Sequence, residues 1–341
     1  DADESMTVSG ALSQGGNITI DVVTAKTLTY SGGELDVGAN TLSIEGAGTL
    51  SNSTDSALVL DDADSILDLT GSGIVSGPVK LDGGTLKSSG SPTISGAITQ
   101  SDNSTIEVST DQTLTYSGVT VNVGASGLSI SGGGILDNTN PIQLSDSGSQ
   151  IILSGITVNY IRADVDSLGV EVDSLSVVNE FTVGHVTPVS ILPDKSFSGE
   201  IYVFSNGNLQ LNNTGTLSAN VTMKGNAVAS DTAGGKIEVQ ESMTFSGSLY
   251  QATDHNGIEL SVASGKTMTY SGSKFEIDDH TFTLSGGGNL DNTKNLVISK
   301  STSTLAITDS TKISYLSVSE NGGLTISDSD SSNNENVIGT L

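Results

Sequence analysis

Three acidic stretches hold the residue types best suited to chemistry. "DDADS" (61–65), "EIDDH" (276–280) and "DSDSSNNEN" (328–336) each place several oxygen donors within a few positions. Hard oxygens in loose geometry suit Ca²⁺, which accepts about six to eight of them. Asp61, Asp62, Asp64, Asp328 and Asp330 are the candidate ligands, and "DVDS" (164–167) is a further donor group. The last stretch follows a calcium-loop spacing only through Asp328, Asp330 and Ser332, since no glycine and closing glutamate follow. Two carboxylates also suffice for glycoside hydrolysis, and Asp61, Asp62, Asp64, Glu276, Asp278 and Asp279 could supply them. Solvated turns of an acidic protein have the same composition.

Other chemistries are poorly served. The three histidines, His185, His255 and His280, lie in unrelated contexts without the paired spacing of a zinc site or a His-based triad. With no cysteine, thiolate ligands, thiol nucleophiles and disulfides are excluded. Arg162 is the single arginine among 12 basic residues, too few for the basic groove that anion-stabilising β-helix enzymes use. No tryptophan and 4% aromatics, most at inward positions, leave little for a sugar-stacking platform. The 39 acidic residues bring the net charge to −27, so nucleic acid and anionic membrane are poor partners. No apolar stretch is long enough for a transmembrane helix, and the chain starts at Asp1, as a processed chain would.

The elements that must position these residues come from a repeat. "TLTYSG" (27–32) returns at 113–118 and again as "TMTYSG" at 267–272. The surrounding units also match: "SMTVSGALSQ" from Ser5, "SPTISGAITQ" from Ser91 and "SMTFSGSLYQ" from Ser242 precede it. "TLSIEGAGTL" (41–50), "GLSISGGGILDNT" (127–139) and "TFTLSGGGNLDNT" (281–293) follow. Each run alternates, with Leu28 and Tyr30 pointing one way and Thr27, Thr29 and Ser31 the other, which is the period of a strand. Glycine after each run supplies the positive φ of a sharp corner. No Gly-Lys-Ser/Thr follows these glycines, so they are corners and not phosphate loops.

The offsets select among all-β folds. Thr27 and Thr113 are 86 residues apart, and Thr113 and Thr267 are 154 apart. Both fit whole numbers of coils of roughly 22 residues, and only an open stack gains coils without rebuilding its closure. The expected fold is all-β: a right-handed parallel β-helix (β-solenoid) of about 15 coils, three short strands per coil. It is a single continuous solenoid over 1–341, with repeat units at 5–90, 91–154 and 242–341. Between the last two, 155–241 is divergent or interrupted: "VDSL" recurs at 165 and 172, and Pro188 and Pro193 favour loops or edges.

The "TLTYSG…SISGGGILDNT" units resemble the strand repeats of large bacterial surface proteins, the filamentous-haemagglutinin-like and autotransporter-passenger adhesins. That resemblance implies secretion to the cell surface and an adhesive or scaffolding role, and it transfers no site residues. The resulting expectation is a non-enzymatic extracellular rod without cofactor unless calcium binds. Its partners are itself, end to end in a filament or longer stalk, or a cell-surface or glycan ligand, with no membrane insertion. A calcium- or carbohydrate-binding module and a polysaccharide-degrading β-helix enzyme remain the alternatives.

Overall fold

The computed structural model describes residues 3–212, 215–224, 234–251, 257–273, 275–277, 281–292, 296–298, 303–309, 311–318 and 338–340. These form 40 strands and no helix, arranged as a β-solenoid of stacked parallel sheets. The chain divides into two compact units, Asp1–Ile161 and Arg162–Leu341.

In the first unit each coil contributes a strand to each of three sides. One side stacks Ile18–Val22, Thr41–Gly46, Ile66–Leu69, Thr85–Ser88, Ser104–Val108, Gly127–Ser131 and Gln150–Ser154. A second begins Met6–Val8, Thr27–Tyr30, Thr49–Asn52 and continues through Thr113–Tyr116 and Ile135–Asn138. A third holds Leu35–Asp36, Leu58–Leu60, Val79–Leu81 and Ile98–Gln100. Alternation decides what fills the middle. Leu28, Tyr30, Leu42, Ile44, Leu114, Tyr116, Leu128 and Ile130 are all buried, as their inward positions require. Each fully buried aliphatic side chain contributes about 1.5–3 kcal/mol, and that burial comes from the facing sides of its own coil together with the coils stacked on it.

The first two copies are not in register with each other. Thr27, Thr49, Ile74, Thr93 and Thr115 form one outward column, so Thr27 shares its column with Thr115 and not with Thr113. The second hexapeptide is displaced by two residues along the strand. Because side chains alternate with period two, a slip of two keeps every apolar residue inside.

In the second unit the same inward positions, Met268, Tyr270, Phe282 and Leu284, are buried. Its second side stacks Phe245 on Tyr270, ring centroids 5.5 Å apart, and Phe275 meets Phe282 edge-on at 4.8 Å. The first coils here depart from three short strands. Ser176–Val183 and Ser196–Val203 each continue unbroken through what is elsewhere a corner, and the second pairs with Thr216–Leu217 at one end and Asn220–Met223 at the other. A bulge between Val178 and Phe181 replaces the corner, facing Gly199 at φ +124°.

Pro188 stands inside strand Val186–Ile191 and not in a loop; its outward ring pairs in register with Gln210. Gly169, which opens the preceding strand, lies against it, and a Cβ there would fall 1.8 Å from the Pro188 carbonyl oxygen. The two "VDSL" segments lead into consecutive strands, Gly169–Val172 and Ser176–Val183, so the local repeat is a corner used twice.

Candidate functional site

The thrice-repeated hexapeptide is a corner. In every copy its tyrosine turns inward and its hydroxyl accepts a main-chain N–H from the turn region or strand that precedes it. The donors are Leu12 N to Tyr30 Oη (3.2 Å), Ile98 N to Tyr116 Oη (3.2 Å) and Leu249 N to Tyr270 Oη (3.3 Å). Tyr116 Oη donates in turn to the Val119 carbonyl (2.6 Å) and Tyr270 Oη to that of Ser273 (2.7 Å). Burial pushes both hydroxyls above the ordinary tyrosine range, so they stay protonated donors at neutral pH.

The closing glycine works differently from expectation. Gly32, Gly118 and Gly272 do not have positive φ; they are glycine because the corner lies against the backbone of the coil before. A Cβ would fall 2.0 Å from Gly10 O, 2.3 Å from Gly96 O and 1.8 Å from Gly247 O respectively. The expected positive φ is found at Gly46, Gly132, Gly133, Gly286 and Gly287, and also in a turn just before the hexapeptide. There Lys26 N, Gln112 N and Lys266 N bond back three residues, and the residue before each donor has positive φ: Ala25 (61°), Asp111 (62°) and Gly265 (75°).

On the next coil each tyrosine is paired in register with a buried asparagine: Tyr30 with Asn52, Tyr116 with Asn138, Tyr270 with Asn292. The Asn138 amide donates to the carbonyls of Asn140 (2.9 Å) and Tyr160 (2.7 Å) and accepts from Asn159 N and Tyr160 N, both 3.2 Å. Asn292 makes the matching pair with Tyr315 O (2.7 Å) and Tyr315 N (3.0 Å). These asparagines were not singled out from the sequence. The "LDN" that carries two of them was visible as part of the repeat.

The first acidic stretch is also a turn. Asp64 N donates to Asp62 Oδ1 (2.9 Å), Asp62 N to Ser65 Oγ (3.1 Å), and buried Ser65 bonds the Gly38 carbonyl (2.7 Å). Asp146 and Ser149 build the same turn, with Gly148 N on Asp146 Oδ1 (2.9 Å) and Ser149 Oγ on the Val123 carbonyl (2.7 Å). Some loss of solvation and the neighbouring Asp36 carboxylate push Asp61, though exposed, upward from its ordinary value. Among the described residues no three Asp, Glu or His side chains gather as a metal site would require. Asp328, Asp330, Asp278, Asp279, His255 and His280 lie outside the described residues, and Glu276 is described only in its backbone. In "DVDS", Asp164 accepts from Arg162 Nε (2.7 Å), and Asp166 accepts from Val186 N (3.1 Å) and lies 3.8 Å from His185 Nδ1.

Five of the described lysines pair with glutamates, most often on a neighbouring coil. Lys26 meets Glu4 (2.8 Å), Lys87 meets Glu107 (3.1 Å), Lys80 meets Glu34 and Lys266 meets Glu241. The most developed group joins Lys236 to Glu238 (2.7 Å) and Glu259 (3.4 Å), with Gln210 donating to Glu238 (3.0 Å). Burial opposes the Glu238 charge, yet the bonds from Lys236, Asn208 and Gln210 outweigh it and hold the carboxyl below its ordinary value. Lys236 is correspondingly raised, its two glutamates overcoming the effect of burial.

Most aromatic side chains turn inward as expected, but a few reach the surface. Tyr202, Phe204 and Tyr250 stand on one side of the second unit, with the Lys224 ammonium 4.0 Å from the Tyr202 ring centroid and 5.2 Å from that of Phe204. Strand alternation in "EIYV" and "SLYQ" held that signal, since Ile201, Val203 and Leu249 take the inward positions. No family model, no curated protein and no solved structure matches this chain.

Proposed function

We infer that the protein is a non-enzymatic structural or adhesive element of the cell surface, a stalk that displays its faces and carries no catalytic centre. The use made of the repeat carries this reading. The hexapeptide's one acid–base group, the tyrosine hydroxyl, is taken up in all three copies by closing a corner. The asparagine stacked upon it is buried, and the glycine beside it is packed against backbone. What is repeated is the means of stacking. The resemblance to bacterial surface-repeat proteins and the strongly acidic surface support an extracellular setting.

The reading extends to end-to-end self-association, because the terminal coil of any parallel stack presents a row of N–H and C=O groups able to pair with another strand. Electron microscopy of the purified chain, with sedimentation velocity over a hundredfold range of concentration, tests both parts. Elongated particles are expected, lengthening as concentration rises. Compact, near-spherical particles overturn the stalk, and elongated particles of constant length overturn self-association alone.

A further inference from the structure

The exposed aromatic side of the second unit has the layout of a sugar-binding face. Strands Ser196–Val203, Asn220–Met223 and Leu249–Gln251 stack there in parallel register. Ile201, Val203, Val221, Met223 and Leu249 turn into the core and leave two outward columns. One reads Tyr202, Thr222, Tyr250 and the other Glu200, Asn220, Ser248. Tyr250 is 49% and Phe204 39% exposed and Tyr202 is half-buried with the Lys224 ammonium over its ring, whereas Tyr30, Tyr116, Phe181, Phe197, Phe245 and Tyr270 are buried.

The spacing selects a ligand. Tyr202 and Tyr250 hold one column position two coils apart, about 9.6 Å at the usual separation of paired strands. That matches one disaccharide of an extended β-1,4-linked chain, in which every second ring presents the same C–H face. Flat rings alongside amide, carboxylate and ammonium groups are what such a ligand needs, apolar stacking for its faces and hydrogen bonds for its hydroxyls. The second column supplies the polar groups: Asn220 Nδ2 donates to Glu200 Oε1 (2.7 Å) and Asn220 Oδ1 accepts from Ser248 N (3.0 Å), which fixes both side chains. Lys224 supplies the ammonium. A net charge of −27 disfavours a polyanion and the Lys224 ammonium at the Tyr202 ring a polycation, so the chain that fits is uncharged.

We propose that this face binds a linear, uncharged β-1,4-linked polysaccharide lying along the stack, with Tyr202 and Tyr250 under alternate sugars. The proposal rests on the adhesive reading for its biological setting, but binding is measured separately from particle shape. The full chain is run through native gels containing hydroxyethyl cellulose, glycol chitin or dextran. Retardation is expected in one or both β-1,4-linked polymers and not in α-linked dextran. Tyr250→Ala should weaken it at least tenfold. Thr222→Glu, which raises a longer side chain into the space between the two rings without touching the core, should abolish it with melting temperature unchanged. Tyr315→Ala, on another exposed tyrosine, should leave it intact. The proposal is overturned by no retardation of the parent chain in either β-1,4-linked polymer, by equal retardation in dextran, or by retardation that survives both Tyr250→Ala and Thr222→Glu. Elongated particles without retardation overturn this face and leave the stalk; retardation of compact particles does the reverse.

Discussion

Tyr116 and Asn138 occupy the same inward position on successive coils and close the same corner by opposite means. Tyr116 reaches back, its hydroxyl taking the Ile98 N–H from the coil before. Asn138 reaches forward, its amide bonding both the N–H and the carbonyl of Tyr160 on the coil after. Together they carry hydrogen bonding across the corner, where strand pairing is interrupted.

Removing either partner leaves buried main-chain groups unpaired. Tyr116→Phe should cost about 1–3 kcal/mol, the penalty for an orphaned buried polar group. Asn138→Leu should cost at least as much, because it strands two N–H groups and two carbonyls. Urea unfolding monitored by circular dichroism measures both. A Tyr116→Phe midpoint equal to that of the parent would remove the hydroxyl from the account of the corner.

Glycine at the hexapeptide corner is tested by comparison with an unconstrained one. Gly118→Ala drives a methyl group to 2.3 Å from the Gly96 carbonyl oxygen, whereas a Cβ at Gly124 meets nothing within 4 Å. Backbone cannot move aside as a side chain can, so Gly118→Ala should cost about 1–3 kcal/mol or more. Gly124→Ala should be neutral within about 0.5 kcal/mol in the same unfolding experiment.

Ala25 is a place where the protein can be improved. It holds φ at 61° in the turn where the third copy has Gly265 at 75°. An L-residue in the left-handed region carries strain of about 1–2 kcal/mol, of which Ala25→Gly should recover about half after the entropy of the added glycine is counted. The measured outcome is a higher urea midpoint with unchanged cooperativity.

Acid stability should depend on the Lys236 group. Glu238 has a depressed value in the folded protein, so its stabilising effect is complete above the ordinary carboxylate range and is lost as pH falls through the folded value. Lys236→Met removes the chief bond holding that value down. Melting temperatures from pH 7 to pH 2 should show the variant less stable than the parent at neutral pH, with the difference narrowing in acid. Asp61→Asn should act in the opposite sense. Its carboxyl is raised, which costs stability once it ionises, so the amide should be level with the parent in acid and slightly more stable at pH 7.

Much of this architecture was legible because alternation is a local property. Leu28 and Tyr30 could be assigned to the core from their neighbours alone, and the whole-coil offsets pointed to a stack. Relationships between coils were less visible. Whether Gly32 serves a dihedral angle or a close approach depends on Gly10, a residue brought near only by folding. The missing donor of Pro188 favours a loop or an edge, but the short strand opposite it begins at Gly169 and makes its place in the sheet tolerable. The unbroken strands Ser176–Val183 and Ser196–Val203 depend on a bulge, which has no fixed sequence mark. For the site the balance reverses. The acidic turns were conspicuous in composition and prove to be held by their own main chain. The tyrosines of the aromatic face were one alternation count away.

The residues that adjoin each copy also determine how many times this molecule can be recognised. Thr27 and Thr29 have Thr49 and Ser51 as their neighbours on the next coil; Thr113 and Thr115 have Ile135 and Asp137; Thr267 and Thr269 have Asn289 and Asp291. A partner touching more than one coil therefore meets three different epitopes where the chain spells one phrase three times. Avidity requires identical sites, and the hexapeptide does not provide them. Triplication here multiplies length while leaving valency at one.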